Sequence, residues 1–304
     1  MDAVMWKALS MIAVVVLGYV LKRVGFFKPE DQQVIARVTI NVVVPCAIIN
    51  GFSSATMDLS FMWLALLGFG ANLVLIGVAL LLNWNADRER KGFVVLNYSG
   101  YNIGAFVLPI VQTFLGPQAV VATCLFDIGG AFVACGGSYA IGSAIAGKGG
   151  CSLRSIVTKL VSTAPFDTYV CMVLLAMAGI TLPAPVLAFT NLVGAANGFM
   201  CMLMLGMAFD WLFEKTYLWT VVQAIGMRLV CNGAMAAAVY RFAPLPLEMR
   251  QGVAIALMAP IAVLAVAFTG KMEGNTTLAA MINSVGIVVG VLALLVMIPL
   301  LNIG

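Results

Sequence analysis

The chain has 304 residues, of which 63% are hydrophobic and 9% are charged, and its formal net charge is +4. Soluble domains carry about 25% charged residues, so this composition excludes an ordinary soluble protein and indicates an integral membrane protein. The sequence contains no histidine. That excludes His-dependent serine or cysteine triads and His-ligated metal sites.

About ten apolar runs approach the length of roughly 20 residues that a helix needs to cross a bilayer. The runs are continuous rather than alternating, so they predict an all-α membrane protein and not a β-barrel. In chain order, the predicted spans 1 to 10 cover residues 3–21, 33–52, 61–82, 93–114, 119–145, 156–180, 184–209, 218–243, 247–269 and 276–302.

The basic residues of the loops lie mostly on one side of the predicted membrane. Because cytoplasmic loops carry an excess of lysine and arginine, that side is predicted to be the cytoplasm, with both termini outside the cytoplasmic (inner) membrane. The basic residues on the predicted cytoplasmic side are Lys22, Arg23, Lys28, Arg88, Arg90, Lys91, Lys148, Arg154, Lys159, Lys215 and Lys271, against Lys7, Arg241 and Arg250 on the other.

The stretch Gly-Lys-Gly-Gly at residues 147–150 divides the chain into two predicted halves of five spans, residues 1–146 and 151–304. A second copy of a unit with an odd number of spans must enter the membrane in the opposite orientation. This arrangement is the inverted repeat of many secondary transporters. Pro109 and Pro260 support it, because each lies in the fourth span of its half.

These two prolines also predict where a ligand binds. A proline inside a helix removes an amide donor and clashes with the carbonyl four residues earlier, which here belongs to Ala105 or Ala256. Lipid cannot satisfy such carbonyls, so the broken backbone must face protein or a water-lined cavity. Paired interruptions in two halves indicate a transporter's binding site, so we predict the substrate site at Pro109 and Pro260.

The sequence Asn102-Ile-Gly-Ala-Phe-Val-Leu-Pro109, followed by Phe114-Leu-Gly116, resembles span 4 of the auxin efflux carrier family. This family includes plant PIN proteins and bacterial proteins related to malonate or malate permeases. Further similar stretches occur in the same order at Asn41-Val-Val-Val-Pro45, Gly179-Ile-Thr-Leu-Pro183 and Leu205-Gly206-Met207.

The resemblance implies a five-plus-five inverted repeat in which spans 4 and 9 cross at their prolines. It also implies an elevator mechanism, with spans 1, 2, 6 and 7 as a scaffold and spans 3–5 and 8–10 as a mobile transport domain. An organic anion as substrate and a homodimer as assembly are further implications. The same architecture occurs in bile acid/sodium symporters and sodium/proton antiporters, so the fold does not name the substrate.

One stretch departs from the family pattern. Family members often have polar residues just after the proline of span 9, whereas residues 261–267 are all apolar here. The departure indicates a less polar ligand, or one that is held mainly by the first half of the chain.

Three polar side chains are candidate substrate-binding residues. Asn102 lies on the same span as Pro109, and the family match assigns it to the ligand; the alternative is that it caps a broken helix or bonds a freed carbonyl. Asn41 is a candidate because it precedes Pro45, the alternative being a hydrogen bond between helices. Tyr101 is expected to line the same cavity unless it only packs.

Asp127 lies well inside span 5, where a carboxylate is costly and is therefore expected to be functional. It could bind a coupling Na⁺ or carry a coupling proton. The alternative is that it pairs with Arg228. No metal site, no other cofactor and no nucleic-acid partner are expected.

Together these observations predict a secondary active transporter for a small organic anion. The alternatives are a sodium-coupled carrier of a larger amphipathic anion and a non-transporting ligand sensor that keeps a transporter fold. An intramembrane enzyme is not expected, because aspartyl protease chemistry needs two facing carboxylates and only Asp127 lies deep in a span.

Overall fold

The structure, a computed structural model, describes residues 2–55, 58–149, 152–210 and 214–303. All regular secondary structure in these ranges is helical, in agreement with the predicted all-α class. Gly150 and Cys151, at the predicted junction of the halves, lie outside the described residues. The α-helices are α1 (Asp2–Arg23), α2 (Pro29–Val38), α3 (Val44–Ser53), α4 (Trp63–Leu82), α5 (Arg88–Tyr98), α6 (Leu108–Phe114), α7 (Pro117–Phe132), α8 (Ser138–Ile145), α9 (Leu153–Leu160), α10 (Ala164–Met177), α11 (Ala184–Gly194), α12 (Asn197–Ala208), α13 (Leu218–Phe242), α14 (Leu247–Leu257), α15 (Leu264–Lys271) and α16 (Thr276–Leu300).

Eight helical stretches among the described residues are long and apolar enough to cross a membrane. They correspond to predicted spans 1–5, 7, 8 and 10. Predicted span 6 falls on α10, an apolar helix of 14 residues, and predicted span 9 is divided between α14 and α15. The eight stretches are Val4–Arg23, Glu30–Ser53, Ser60–Leu82, Arg88–Phe114, Pro117–Ile145, Ala184–Ala208, Lys215–Phe242 and Thr276–Leu300.

The two prolines that we expected to break spans 4 and 9 lie in different surroundings. Pro260 lies within the non-helical segment between α14 and α15, as predicted. Pro109, by contrast, lies in a helical stretch that continues from the π-helical turn Ile103–Val107 into α6. The expectation that Pro109 itself breaks span 4 is therefore wrong. The break lies earlier, at residues 99–102, where Gly100 has a φ of 80° that favours glycine.

Single π-helical turns precede two of the prolines. One covers Thr39–Val43, just before Pro45, and the other covers Ile103–Val107, just before Pro109. Proline cannot donate the usual bond to the carbonyl four residues earlier, and its ring needs room against the preceding turn. A wider turn at that point accommodates the ring and keeps the helix continuous.

The helices pack in two groups. In the first group α1 packs along α12, and α3 packs against α10 and α11, so that predicted spans 1, 2, 6 and 7 contact one another. In the second group α7 packs against α4 and α14, and α13 packs against α14 and α16. The second group therefore joins predicted spans 3–5 to predicted spans 8–10.

Glycines allow α4 and α7 to approach closely. A Cβ atom at Gly68 would collide with the carbonyl of Phe126, and one at Gly129 would collide with the carbonyl of Ala65. Small residues of this kind permit backbone contact between membrane helices, where lipid supplies little driving force for association.

We therefore predict that Gly68→Ala lowers the thermal unfolding midpoint of the purified protein, at a cost of about 1–3 kcal/mol from overpacking. Gly70 on the same helix is the matched control, because a Cβ atom there meets nothing within 4 Å. Gly70→Ala should leave the midpoint unchanged or raise it slightly, since alanine favours helix by up to about 1 kcal/mol over glycine. Equal midpoints for the two variants would contradict the close packing of α4 on α7.

Candidate functional site

The interruptions of predicted spans 4 and 9 meet inside the protein. The backbone amide of Asn102 donates a hydrogen bond of 2.9 Å to the carbonyl of Pro260. This hydrogen bond brings the C-terminal ends of α5 and α14 close to each other, and helix ends carry backbone groups without a partner in their own helix. It also brings together the beginnings of the helical segments that follow them.

Buried side-chain amides bond other backbone groups at the interruptions. Asn72 of α4 accepts a hydrogen bond of 2.9 Å from the amide of Gly100. Asn283 of α16 donates one of 3.2 Å to the carbonyl of Ile261.

The carbonyl of Ala256, which we expected to be freed by Pro260, accepts instead from the amide of Ala259 at 3.1 Å. The expectation of a free carbonyl at Ala256 is therefore wrong, because the end of α14 tightens into a short turn.

A cavity of about 270 Å³ lies beside the interruption of span 4. Its wall is mostly apolar, and among the described residues that line it none is basic. The lining residues are Gln32, Ala36, Ile40, Val44, Tyr101, Asn102, Ile103, Gly104, Ala105, Asp127, Ala131, Ala134, Cys135, Thr163, Pro165, Phe166, Tyr169, Met204, Leu205, Ala208, Ala262, Val263 and Leu264.

Asn102 carries a hydrogen-bond donor that the described part of the protein does not use. Its side chain is 8% exposed and lines the cavity. Its amide nitrogen Nδ2 has no hydrogen-bond partner among the described residues, and the side chain makes no capping bond to the turn that follows. A buried amide without a partner is costly, so this group is available to an acceptor on a bound molecule. The alternative role of capping the broken helix is not observed.

Asp127 and Tyr169 form a hydrogen-bonded polar pair in the wall of the cavity. The hydroxyl of Tyr169 on α10 donates a hydrogen bond of 3.0 Å to Oδ2 of Asp127 on α7. Arg228 bonds other groups, so the alternative that Asp127 pairs with Arg228 is not observed. The pair joins one helix from each packing group, which places a titratable carboxyl group at the boundary between them.

Of the other predicted site residues, some line the cavity and some do not. Tyr101 and Ala105 line the cavity, and the Tyr101 hydroxyl donates 2.9 Å to Oδ1 of Asn232. Pro109 and Ala256 do not line it. Pro260 borders a smaller cavity of about 30 Å³, which residues of α13 and α16 also line.

Asn41 also lies away from the cavity. Its side chain is exposed, and its amide donates 2.8 Å to the carbonyl of Arg37, one turn earlier on the same helix. The structure therefore does not bring Asn41 together with Asn102 or Asp127.

Comparison with protein families assigns the chain to a transport family. A family model described as "Membrane transport protein" matches residues 3–161, just over half of the chain. The chain belongs to this family, the family of the auxin efflux carriers. A search of curated proteins finds no significant match. The part that matches the membrane transport family contains Asn102 and Asp127, whereas Tyr169 and Arg228 lie beyond it.

Sequence reasoning missed several polar residues of this membrane transport protein. Asn72, Asn232 and Tyr169 lie in apolar spans, and that position alone was a signal that each needs a partner. The signal does not tell which way a helix face points. Asn41 and Asn72 looked alike in this respect, yet only Asn72 turns toward an interruption.

We predict that Asn72→Ala destabilises the protein by about 1–3 kcal/mol, because it leaves the buried amide of Gly100 without an acceptor. The measurement is the thermal unfolding midpoint of purified protein. Asn41→Ala is the control, since an exposed amide that bonds its own helix should contribute within about 0.5 kcal/mol. Wild-type stability of Asn72→Ala would show that Asn72 does not hold the interruption.

Proposed function

We propose that the protein is a secondary active transporter that moves a small organic anion across the cytoplasmic membrane. The observation that carries the proposal is the unpartnered amide of Asn102, buried beside a cavity where two interrupted spans meet. An N–H donor without a partner suits a carboxylate oxygen, because hydrogen bonds to charged groups are stronger than those between neutral groups. The mostly apolar wall suits a ligand whose remaining surface is apolar.

The two packing groups support an elevator mechanism. In this proposal α1, α2, α3, α10, α11 and α12 form the scaffold, and the other spans form the transport domain of a five-plus-five repeat. The cavity lies between them, because Ile40 and Met204 line it from the first group, and Asn102 and Leu264 line it from the second. A site at the boundary of two bodies changes its access when one body slides past the other.

The position of the cavity along the spans supports an inward-facing state. Gln32 in the first turn of α2, Thr163 just before α10 and Ala208 at the end of α12 all line it. Each of these helix ends adjoins a loop or connecting segment with basic residues. If those loops are cytoplasmic and both termini are outside, the cavity opens toward the cytoplasm.

The first experiment is a thermal-shift screen of purified protein against organic acids, followed by flux of each hit in proteoliposomes. A ligand of the native state raises the unfolding midpoint by mass action. Absence of both stabilisation and flux across a broad panel of organic acids, with folded protein, would count against an anion transporter.

We predict that Asn102→Ala weakens the binding of such a hit by about tenfold or more, because a hydrogen bond to a charged group contributes about 1.5–3 kcal/mol. The binding constant is measured by titration with the thermal shift as readout. Asn41→Ala serves as the matched amide-to-alanine control and should bind as wild type. Unchanged binding by a folded Asn102→Ala variant would remove Asn102 from the site.

We predict that Asp127→Asn binds the hit but loses the dependence of binding and flux on pH or on sodium. The amide keeps an oxygen that accepts from Tyr169, so packing is retained, but it cannot exchange a proton or carry a negative charge. The measurement is binding at two pH values, each with sodium and with potassium. Persistence of the wild-type ion dependence in Asp127→Asn would place the coupling group elsewhere.

A further inference from the structure

Arg228 connects the two interrupted spans. It lies in the middle of α13 with 5% of its surface exposed. Its Nη1 donates a hydrogen bond of 3.0 Å to the carbonyl of Tyr98, the last residue of α5. Its Nη2 donates one of 2.8 Å to the carbonyl of Ala259, just beyond the end of α14. A single guanidinium group thus binds the C-terminal ends of both broken helices.

The charge of Arg228 suits its partners. The C-terminal end of a helix carries about half a negative charge, and Arg228 binds two such ends. No salt bridge between Arg228 and a carboxylate is present in the described ranges. The partners of this buried cation are therefore backbone carbonyls, the same kind of ligand that unwound helices offer to Na⁺ in transporters.

The same helix also fixes the residue next to Asn102. Asn232, one turn after Arg228 on α13, accepts a hydrogen bond from the hydroxyl of Tyr101. The guanidinium carbon of Arg228 lies 5.2 Å from the centroid of the Tyr101 ring, within the range of a cation–π contact. α13 therefore holds the backbone of the interruption and the ring that lines the cavity.

We propose that Arg228 is the resident cation of this meeting point and takes the place that a bound Na⁺ would otherwise take at the two helix ends. Because the negative ends are already neutralised, the interruptions need no sodium for their stability. Arg228 acts as a positioning residue, through Tyr98, Ala259 and Tyr101, on the segment that contains Asn102. The positioning of the Asn102 segment for a ligand rests on the proposed function, whereas the role of the Arg228 charge does not.

Sodium is the first probe. The Asp127→Asn variant removes the carboxylate that lines the cavity, so a sodium effect that remains does not come from that group. Its unfolding midpoint should be the same in sodium, potassium and choline chloride at equal ionic strength. A midpoint that rises with sodium alone, and saturates, would overturn the proposal, because it would reveal a cation site that Arg228 does not fill.

Substitution of Arg228 separates charge from packing. Arg228→Lys keeps the charge but cannot span two carbonyls with a planar fork, and Arg228→Gln keeps a donor without the charge. We expect the unfolding midpoint to fall from wild type to Arg228→Lys and further to Arg228→Gln. A glutamine variant that is as stable as the lysine variant, or more so, would overturn the role of the charge.

Chemical rescue gives a third readout. Arg228→Ala should lower the midpoint by more than about 5 °C, and guanidinium at millimolar concentration should raise it again in this variant but not in wild type. Arg250→Ala is the matched control. Arg250 also donates to a backbone carbonyl, that of Tyr240, in a hydrogen bond of 3.1 Å, but this bond does not involve the interruptions. Folded Arg228→Ala that guanidinium does not stabilise, or stabilises no more than Arg250→Ala, would contradict the proposal. None of these measurements involves transport, so their failure leaves the proposed function untouched.

Discussion

A backbone amide or carbonyl inside a bilayer has no water to bond, and each one left unpaired costs several kcal/mol. Two interrupted spans can therefore persist only if their loose backbone groups find partners within the protein. Here the two segments bond each other directly, through the amide of Asn102 and the carbonyl of Pro260. The position of α4, α13 and α16 around this bond follows from the same need, because each brings a polar side chain to the interruptions.

Structural polar residues differ from those available to a ligand in their hydrogen-bond partners. Asn72, Arg228 and Asn283 all donate to or accept from backbone groups, so they are occupied in the absence of any ligand. The amide nitrogen of Asn102 is buried at the same place and has no partner among the described residues. If only their position in apolar spans were considered, these four residues would be equal candidates for binding a ligand.

The sequence predicted the class of protein and most of the spans, because hydrophobic length is a local property that a single chain displays. It also predicted the region of the site, since Pro260 lies in one interruption and Asn102 borders the other. It failed at Pro109 because a π-helical turn lets the helix continue past that proline, and the break at Gly100 depends on the acceptor that Asn72 brings from another span. Rotation of a helix about its axis decides whether Asn41 or Asn72 faces inward, and no local pattern in one sequence records that rotation.

The balance of charge at the interruptions bears on how an anion can be held. Arg228 bonds the two negative helix ends, and the described lining of the cavity contains Asp127 but no lysine or arginine. A carboxylate ligand next to an ionised Asp127 would meet like charge in a mostly apolar space, which disfavours binding. In the proposed function, an anion therefore binds when a proton or a bound Na⁺ neutralises Asp127, with Asn102 donating to the anion. The coupling ion and the anion would then occupy the site together, and Tyr169 of α10 bonds that carboxyl group from the other packing group.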